Sequence, residues 1–572
     1  MKKIILFTLA STLALAASAQ SWQDALLFSE NEYAGTARSV AMGNAFTAVG
    51  GDLGSIGLNP AGSAVAGYSQ FTLSPGLSIA VANVSSSQPE LGFGNRVSTI
   101  SSRPKMPNLG VVFAMNTGHR SGLKRVSFGF VSNATNDYTS RMYAGGVNVD
   151  NSFCGAVASS AAGYPEDVLS GEAKDVDWWN LDEFNETYGL SWRDMVAYRS
   201  GIIGTVNGRY LGLTDWDKDG VHSGVLAPLY QEYGFQTKGY KHDMLFNLAF
   251  NYSDELYLGA NFGLVTLRYG QAEFWQEMPN NDAEFPAIPF DTNPNARFNS
   301  LEMKRIFEAR GTGVNFKVGA LWRPSGLPLR LGAALQTPTL LNINSRMAYY
   351  GKASVTGVNL PSSQSPEYED AYALVSPWRF NMGVAYTFGD KALVSADYEV
   401  VNYGRSKLRS QSASYIYYSS NYFDDANADI KDVLGASHML RVGVEVNPFP
   451  GLAVRAGYGL ATSGQHNYLD WEYDPADGKS HLMVYPLSAQ ERAALCRHMV
   501  SAGAGYTFGP YFADLAVRFK SMPTQYFTPY EYLGYDSDYT DKYVVDEAPY
   551  TVPEVVAKYR RWDVILTLGV RF

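Results

Sequence analysis

The chain has 572 residues and a formal net charge of −10, a balance that argues against nucleic-acid binding. Aromatic residues make up 14%, with 39 Tyr and 54 Gly, while charged residues reach only 17%, which suits a tyrosine-girdled barrel better than an ordinary soluble enzyme. Beyond the first segment no stretch approaches the ~18 apolar residues of a transmembrane helix, so helical insertion is excluded.

The chain opens Met1-Lys2-Lys3, followed by an apolar-to-small run with Ala17 and Ala19 at the −3 and −1 positions before Gln20. This reads as a secretory signal peptide over residues 1–19, too short to cross a ~30 Å hydrocarbon core. No cysteine follows the cleavage point, which argues against a lipoprotein. No linker, charge block or change of composition divides the rest, so one large all-β unit is expected.

Residues 20–67 carry many small residues and no clean strand alternation. Gly35 to Gly43 and Gly50 to Gly62 turn tightly and suit close packing against other backbone. Such a peptide fits the inside of a barrel, where it would fill a bore that leaks when empty.

From residue 68 onward, period-2 alternation recurs in runs of about ten residues, the length of a tilted spanning strand. In the last run Trp562, Val564, Leu566, Leu568, Val570 and Phe572 share one face. Fourteen strands are expected, beginning near Tyr68, Asn108, Arg125, Asp243, Leu256, Arg310, Leu329, Pro377, Ala392, Met439, Leu452, His498, Tyr511 and Arg561. Tight connections at residues 252–255, 323–328, 389–391, 447–451 and 509–510 alternate with long ones, an outer-membrane pattern with periplasmic turns and extracellular loops. The largest loop, about residues 134–241, is too long to lack structure of its own. An open sheet edge cannot face lipid, so the sheet must close. Asp397, Glu399, Arg379, Arg441, Glu445, Arg455, Asp514 and Arg518 fall on the face opposite the apolar one and are placed in the lumen, where they either pair with one another or meet a ligand.

Several residues carry possible chemistry. Asp215, Asp217 and Asp219 with Gly220 match the first half of a calcium loop, but position twelve is Leu226 where a bidentate Glu is expected; a plain Asx-rich turn is the alternative, and no metal site is assigned. Cys154 and Cys496 form either a disulfide, permitted in an exported chain, or two separate thiols. Aromatics in the expected long loops, Trp178, Trp179, Phe184 and Trp192 with Phe274, Trp275, Phe285 and Phe290, either capture an apolar ligand or pack the loops themselves. His242, His438 and His498 are expected near the extracellular strand ends, in interfacial or solvated positions. No Gly-x-Ser-x-Gly, His-Glu-x-x-His or compact His/Asp/Ser group is present, so no enzyme activity and no cofactor are expected.

Within residues 35–62 the order Gly35, Arg38, Gly43, Asn59, Pro60, Ala61 and Gly62 resembles the N-terminal hatch of the FadL/TodX (OmpP1) hydrophobic-compound transporters. The resemblance extends more loosely through Met106-Pro-Asn-Leu-Gly110, Gly311 to Lys317, Leu331 to Pro338, Pro377 to Asn381 and Asp397-Tyr-Glu399, most like the Bacteroidetes branch. It implies a fourteen-stranded antiparallel transmembrane β-barrel over residues 68–572 with the hatch, residues 20–67, inside its lumen. It also implies passive uptake of long-chain fatty acids or other hydrophobic compounds across a Gram-negative outer membrane by a monomer, with lateral release through the wall. Arg38 in the hatch would hold a ligand carboxylate or a lumen acid. Rival readings are a porin for small polar solutes, against which the hatch counts, and an adhesion or structural barrel that uses its long loops.

Overall fold

The computed structural model describes residues 21–86, 93–94, 97–172, 191–215, 224–281, 285–290, 293–411, 422–474, 479–535, 542–544 and 552–572. The expected signal peptide lies outside them. Fourteen antiparallel strands form a closed wall: β1 (Gln70–Ser86), β2 (Val97–Asn116), β3 (Leu123–Asp137), β4 (Leu229–Tyr252), β5 (Leu256–Pro279), β6 (Phe298–Trp322), β7 (Leu329–Gln336), β8 (Arg379–Phe388), β9 (Ala392–Asn402), β10 (Ala436–Phe449), β11 (Leu452–Ala461), β12 (Arg497–Phe508), β13 (Tyr511–Phe527) and β14 (Val555–Arg571). Each pairs with the next, and β14 closes on β1 from Gln70↔Arg571 to Ser86↔Val555, which leaves no free sheet edge at that seam.

The outer face explains why the sheet can live in hydrocarbon. Phe246, Leu248 and Phe250 on β4, Leu258 and Phe262 on β5, and Phe316 and Val318 on β6 all stand exposed on the outside, an apolar surface that water would not tolerate. At the tight-turn end this belt finishes in aromatics, among them Tyr252, Trp322, Phe388, Phe508 and Tyr511. Such a girdle sits where a ring can be half apolar and half wet.

Four strands are longer than the alternation indicated. β4 begins at Leu229, β6 at Phe298, β2 at Val97 and β14 at Val555, against expected starts near Asp243, Arg310, Asn108 and Arg561. The reason is an inversion of the pattern. Near the tight turns β4 is apolar outward, but above Gly239 it buries Phe235 and Tyr233 inward while Gln236 and Lys238 point out. The period of two persists; the apolar set changes face where the wall leaves hydrocarbon and wraps a protein core instead. Residues 134–241 are therefore not one loop, because strand Ser140–Asn148 and the upper half of β4 pair within them.

Above the belt this extension carries helices α3 (Phe153–Ala161) and α4 (Trp192–Arg199). They pack with Trp275, Tyr530 and Tyr532 into the largest hydrophobic cluster, which caps the bore. β7 and β8 are interrupted at Pro338 and Pro377 and continue as Leu340–Val355 and Tyr368–Val375. Proline cannot donate to the ladder, so each sits where the strand bends.

Candidate functional site

The lumen is filled by the chain's own beginning. Residues 21–67 form helices α1 (Trp22–Ser29) and α2 (Ala37–Ala41), then tight 3-10 turns, all packed against inward-facing wall residues. Arg38 makes a bidentate pair with Glu445, Nε to Oε2 at 2.8 Å and Nη2 to Oε1 at 2.9 Å. Thr47 N–H donates to Asp397 Oδ2 at 2.7 Å, Asn247 Nδ2 to Pro60 O at 3.0 Å, and Asn261 Nδ2 to Ile56 O at 2.9 Å. Asn59 caps its own 3-10 turn, accepting from Ala61 N, and donates to Thr47 O at 2.7 Å and Ala320 O at 3.0 Å. Pro60 follows at the first position of the turn, where its missing N–H costs nothing.

Backbone approach here is closer than any side chain allows. A Cβ on Gly332 would lie 2.1 Å from Thr47 O, and one on Gly457 2.1 Å from Gly43 N. Within the cork, Gly43 adopts φ +63°, and a Cβ on Gly35 would lie 2.9 Å from Gly54 Cα. A Cβ on Gly62 would lie 3.2 Å from Gly50 Cα, and Ala61 N is 2.5 Å from a Cβ placed on Gly259. The polar faces expected in the lumen are there. Arg441 and Arg379 hold Glu399 at 2.9 and 3.0 Å, and Arg518 holds Asp563 at 2.7 Å.

The wall is incomplete at one place. β2 pairs with β1 from Val97↔Val84 to Val112↔Gln70, across one bulge, but with β3 only from Asn108↔Asn133 to Asn116↔Arg125. Beyond Asn133 the third strand bulges between Ala134 and Asn136 and turns inward. Ala34 N–H donates to Ala134 O at 3.0 Å, and Arg561 of β14, across the seam, donates to Asp137 O at 2.6 Å and Thr139 O at 2.8 Å. Val97 to Pro107 is thus left without a ladder on that side. Side chains bridge it instead: Arg103 Nη1 reaches Gly239 O at 2.8 Å and Thr99 Oγ1 reaches Arg141 O at 2.7 Å. Pro104 and Pro107 lie on this stretch, and each lacks the N–H a ladder would need.

Behind the break lies a cavity of about 340 Å³. Pro104, Met106, Ala134, Tyr240 and His242 line its wall side, and Glu32 and Ala34 of the cork with Arg518 and Lys520 form its floor. Burial pushes the Glu32 carboxyl up, but Lys520, Arg561 and Arg497 together outweigh it and hold it well below the usual carboxylate range. The floor is accordingly an ion-paired plate, with Arg497 also bonded to Glu30 at 2.7 Å. Above it, Phe28 of α1 packs edge-on to Tyr269 at 5.6 Å and Tyr138 at 6.4 Å, so α1 fills the apolar space that leads up to the cap.

The chain is similar in fold to a Pseudomonas aeruginosa FadL homologue, at 13% identity over 95% of this chain and 99% of that one, TM-score 0.46. It is likewise similar to the Pseudomonas putida toluene transporter TodX, at 12% identity over 95% and 99%, TM-score 0.44. The Ralstonia pickettii toluene transporter TbuX aligns at 13% identity over 94% and 98%, TM-score 0.43. No protein-family model and no curated protein sequence matches the chain.

The remaining sequence candidates separate clearly. Trp275 and Phe274 lie on the extension of β5 and not in a loop. Trp275 is buried, stacked on Phe153 at 5.2 Å, and its Nε1 donates to Pro529 O. Phe274 points outward beside Tyr143. Phe285 and Trp192 are buried in the cap. Trp178, Trp179, Phe184, Asp217 and Asp219 lie outside the described residues, as does the side chain of Phe290. Asp215 is buried and accepts from Ser152 Oγ at 2.9 Å beside the start of α3; burial pushes its carboxyl up to about 8. Among the described residues no group of three or more His, Cys, Asp or Glu is placed to hold a metal. Cys154 and Cys496 are both free, with Cys154 Sγ 2.9 Å from Thr214 Oγ1 and Cys496 Sγ facing Arg492 O. His438 and His498 stand on the outer wall, each bonded to a tyrosine hydroxyl, Tyr398 and Tyr458.

The break between β2 and β3 and its cavity were not among the sequence candidates. The signal that marks them is the pair Pro104 and Pro107, which exclude a two-sided central strand at those positions.

Proposed function

We propose that this chain is a passive outer-membrane channel for hydrophobic compounds, long-chain fatty acids or smaller hydrocarbons, that releases its cargo sideways through the break between β2 and β3. The observation that carries this reading is a wall break that opens onto a cavity while the bore below is closed by the cork. From Met115 to Met106 the strand climbs nine residues, about 30 Å along its length and roughly 22 Å across the bilayer at a tilt near 40°. The mouth, rimmed by the outward-facing Met106 and Pro104, therefore opens at the outer edge of the hydrocarbon, with Met106 inside the apolar band and Pro104 just beyond it.

Physical chemistry favours that exit over a straight path. Each methylene gains about 0.8 kcal/mol on leaving water, so an acyl chain entering the bilayer goes downhill and needs no energy source. Below the cavity a cargo would meet partly buried ion pairs, Arg38 with Glu445 among them, whose breaking leaves uncompensated charges. In this reading residues 20–67 act as a hatch, α1 yields the apolar space around Phe28 to the cargo, and the chain works as a monomer. The neighbours TodX and TbuX are named as toluene transporters, a cargo of the same apolar kind.

The test compares uptake of labelled oleate, toluene and a small sugar by liposomes holding the intact protein and a form lacking residues 20–67. Oleate or toluene entry without sugar entry through the intact protein is expected, with sugar leakage appearing on deletion. Sugar flux through the intact protein with no hydrophobic uptake would assign a porin instead.

A further inference from the structure

The outer wall carries a second pattern that the cork and cavity do not use. On β4, β5 and β6 five outward positions climb from the tight turns and end at Met244, Leu264 and Val314, which stand in register. One polar row follows, and the next outward row holds Arg268 directly opposite Arg310. Lys238 lies one row higher, its stem lying across Gly270 of β5.

Two arginines opposed across a ladder repel each other. Among the described residues little relieves this. Arg268 has no hydrogen bond or ion pair among the described residues. Arg310 is 68% exposed, and its one acid, Glu308, lies 3.8 Å away and is held closer by Arg346, at 2.9 Å. Of the three cations Lys238, Arg268 and Arg310, only Arg310 has an ion pair among the described residues, and its acid is already engaged by Arg346.

Height selects the counter-ion. Arg310 lies twelve residues above Trp322 of the aromatic girdle, about 40 Å of strand and roughly 30 Å across the bilayer at a 40° tilt. The apolar band is about 25 Å tall, so both guanidinium groups stand about 5 Å beyond hydrocarbon, at the level of lipid headgroups. Guanidinium matches phosphate bidentately and is weakly hydrated, the chemistry suited to a headgroup phosphate.

We propose that Arg268, Arg310 and Lys238 hold the phosphate of an outer-leaflet glycolipid against the outside of the barrel. The lipid lies along the apolar rows of β4, β5 and β6 with its phosphate between the two arginines. Tyr240, in register with Arg268 and stacked on Arg103 of β2, sets this lipid beside the wall break.

The test is native mass spectrometry of the full-length protein incubated in detergent with bisphosphorylated lipid A. One retained lipid is expected, falling at least about tenfold in Arg268→Gln/Arg310→Gln and equally when wild type is offered the dephosphorylated lipid. Arg268→Lys/Arg310→Lys should keep a measurable share, and Lys391→Gln at a tight turn should keep all of it. All three variants alter exposed side chains and should keep the heat-modifiable gel mobility of a folded barrel. Equal retention by the double Gln variant, equal retention of the dephosphorylated lipid, or displacement of the lipid by millimolar inorganic phosphate would each overturn the proposal.

Discussion

Filling the cavity behind the wall break should stop hydrophobic uptake without unfolding the barrel. Ala134 is buried, lines that cavity, and sits where β3 turns inward, so Ala134→Trp places an indole inside it. At about 30 Å³ per water-sized group, 340 Å³ accommodates roughly ten methylenes, worth about 8 kcal/mol of burial. An engineered cavity of about 150 Å³ takes a benzene, so an indole removes about half of this space and about 4 kcal/mol of the stabilisation offered to a passing chain. Local yielding of the wall returns some of that. At about 1.4 kcal/mol per factor of ten, uptake should still fall at least about a hundredfold. The assay is the initial rate of labelled oleate entry into vesicles, with heat-modifiable gel mobility confirming the closed barrel and outward-facing Ala513→Trp as control. Undiminished oleate entry through folded Ala134→Trp would refute lateral passage through this cavity.

Arg38→Ala removes two charge-assisted bonds, each worth about 1.5–3 kcal/mol, yet Glu445 keeps Arg455 and the cork keeps its bonds from Asp397, Asn247 and Asn261; hydrogen exchange should accelerate over residues 36–44 while the barrel still runs as folded on gels. Asp215 has a carboxyl raised by burial to about 8, so the folded cap binds a proton that the unfolded chain releases near pH 4. The stability this confers is greatest in acid and is lost as pH climbs towards and through about 8; protection from exchange at the start of α3, measured relative to the intrinsic exchange rate at each pH, should be weaker at pH 9 than at pH 6, and Asp215→Asn should flatten that difference. Burial, with Glu277 and Asp215 adding to it, pushes the Cys154 thiol well up, while Cys496 is partly exposed. A maleimide should therefore label one thiol per native chain and two after denaturation, and a count of zero before reduction would indicate a disulfide.

The barrel was legible because one chemical rule acts on every strand in hydrocarbon: Trp562 to Phe572 and Trp378 to Phe388 read plainly as apolar outward, polar or glycine inward. The turns followed from their brevity. Strand ends did not, because above the belt Phe235 and Tyr233 replace outward apolar residues with inward ones, and a scan for one constant face stops there. For the same reason Phe274 and Trp275 read as loop residues although they continue β5. The lumen acids and arginines were placed correctly, but not their partners, since Arg38 and Glu445 are 407 positions apart and only folding joins them. Glycines such as Gly332 and Gly457 stood in the alternation as mere inward residues; that they mark where the cork touches the wall depends on a second segment. The wall break was the least legible, because a ladder belongs to two strands. Only the prolines of β2 hinted that one side of it goes unpaired.

The cork belongs to the amino end of the chain, while the seam that seals the cylinder joins its first strand to its last. With wall glycines set against cork backbone at distances no side chain tolerates, this filling cannot be slid into a finished tube through a capped mouth. Assembly therefore closes the sheet around this filling, so residues 21–67 serve as the mandrel on which the cylinder is rolled.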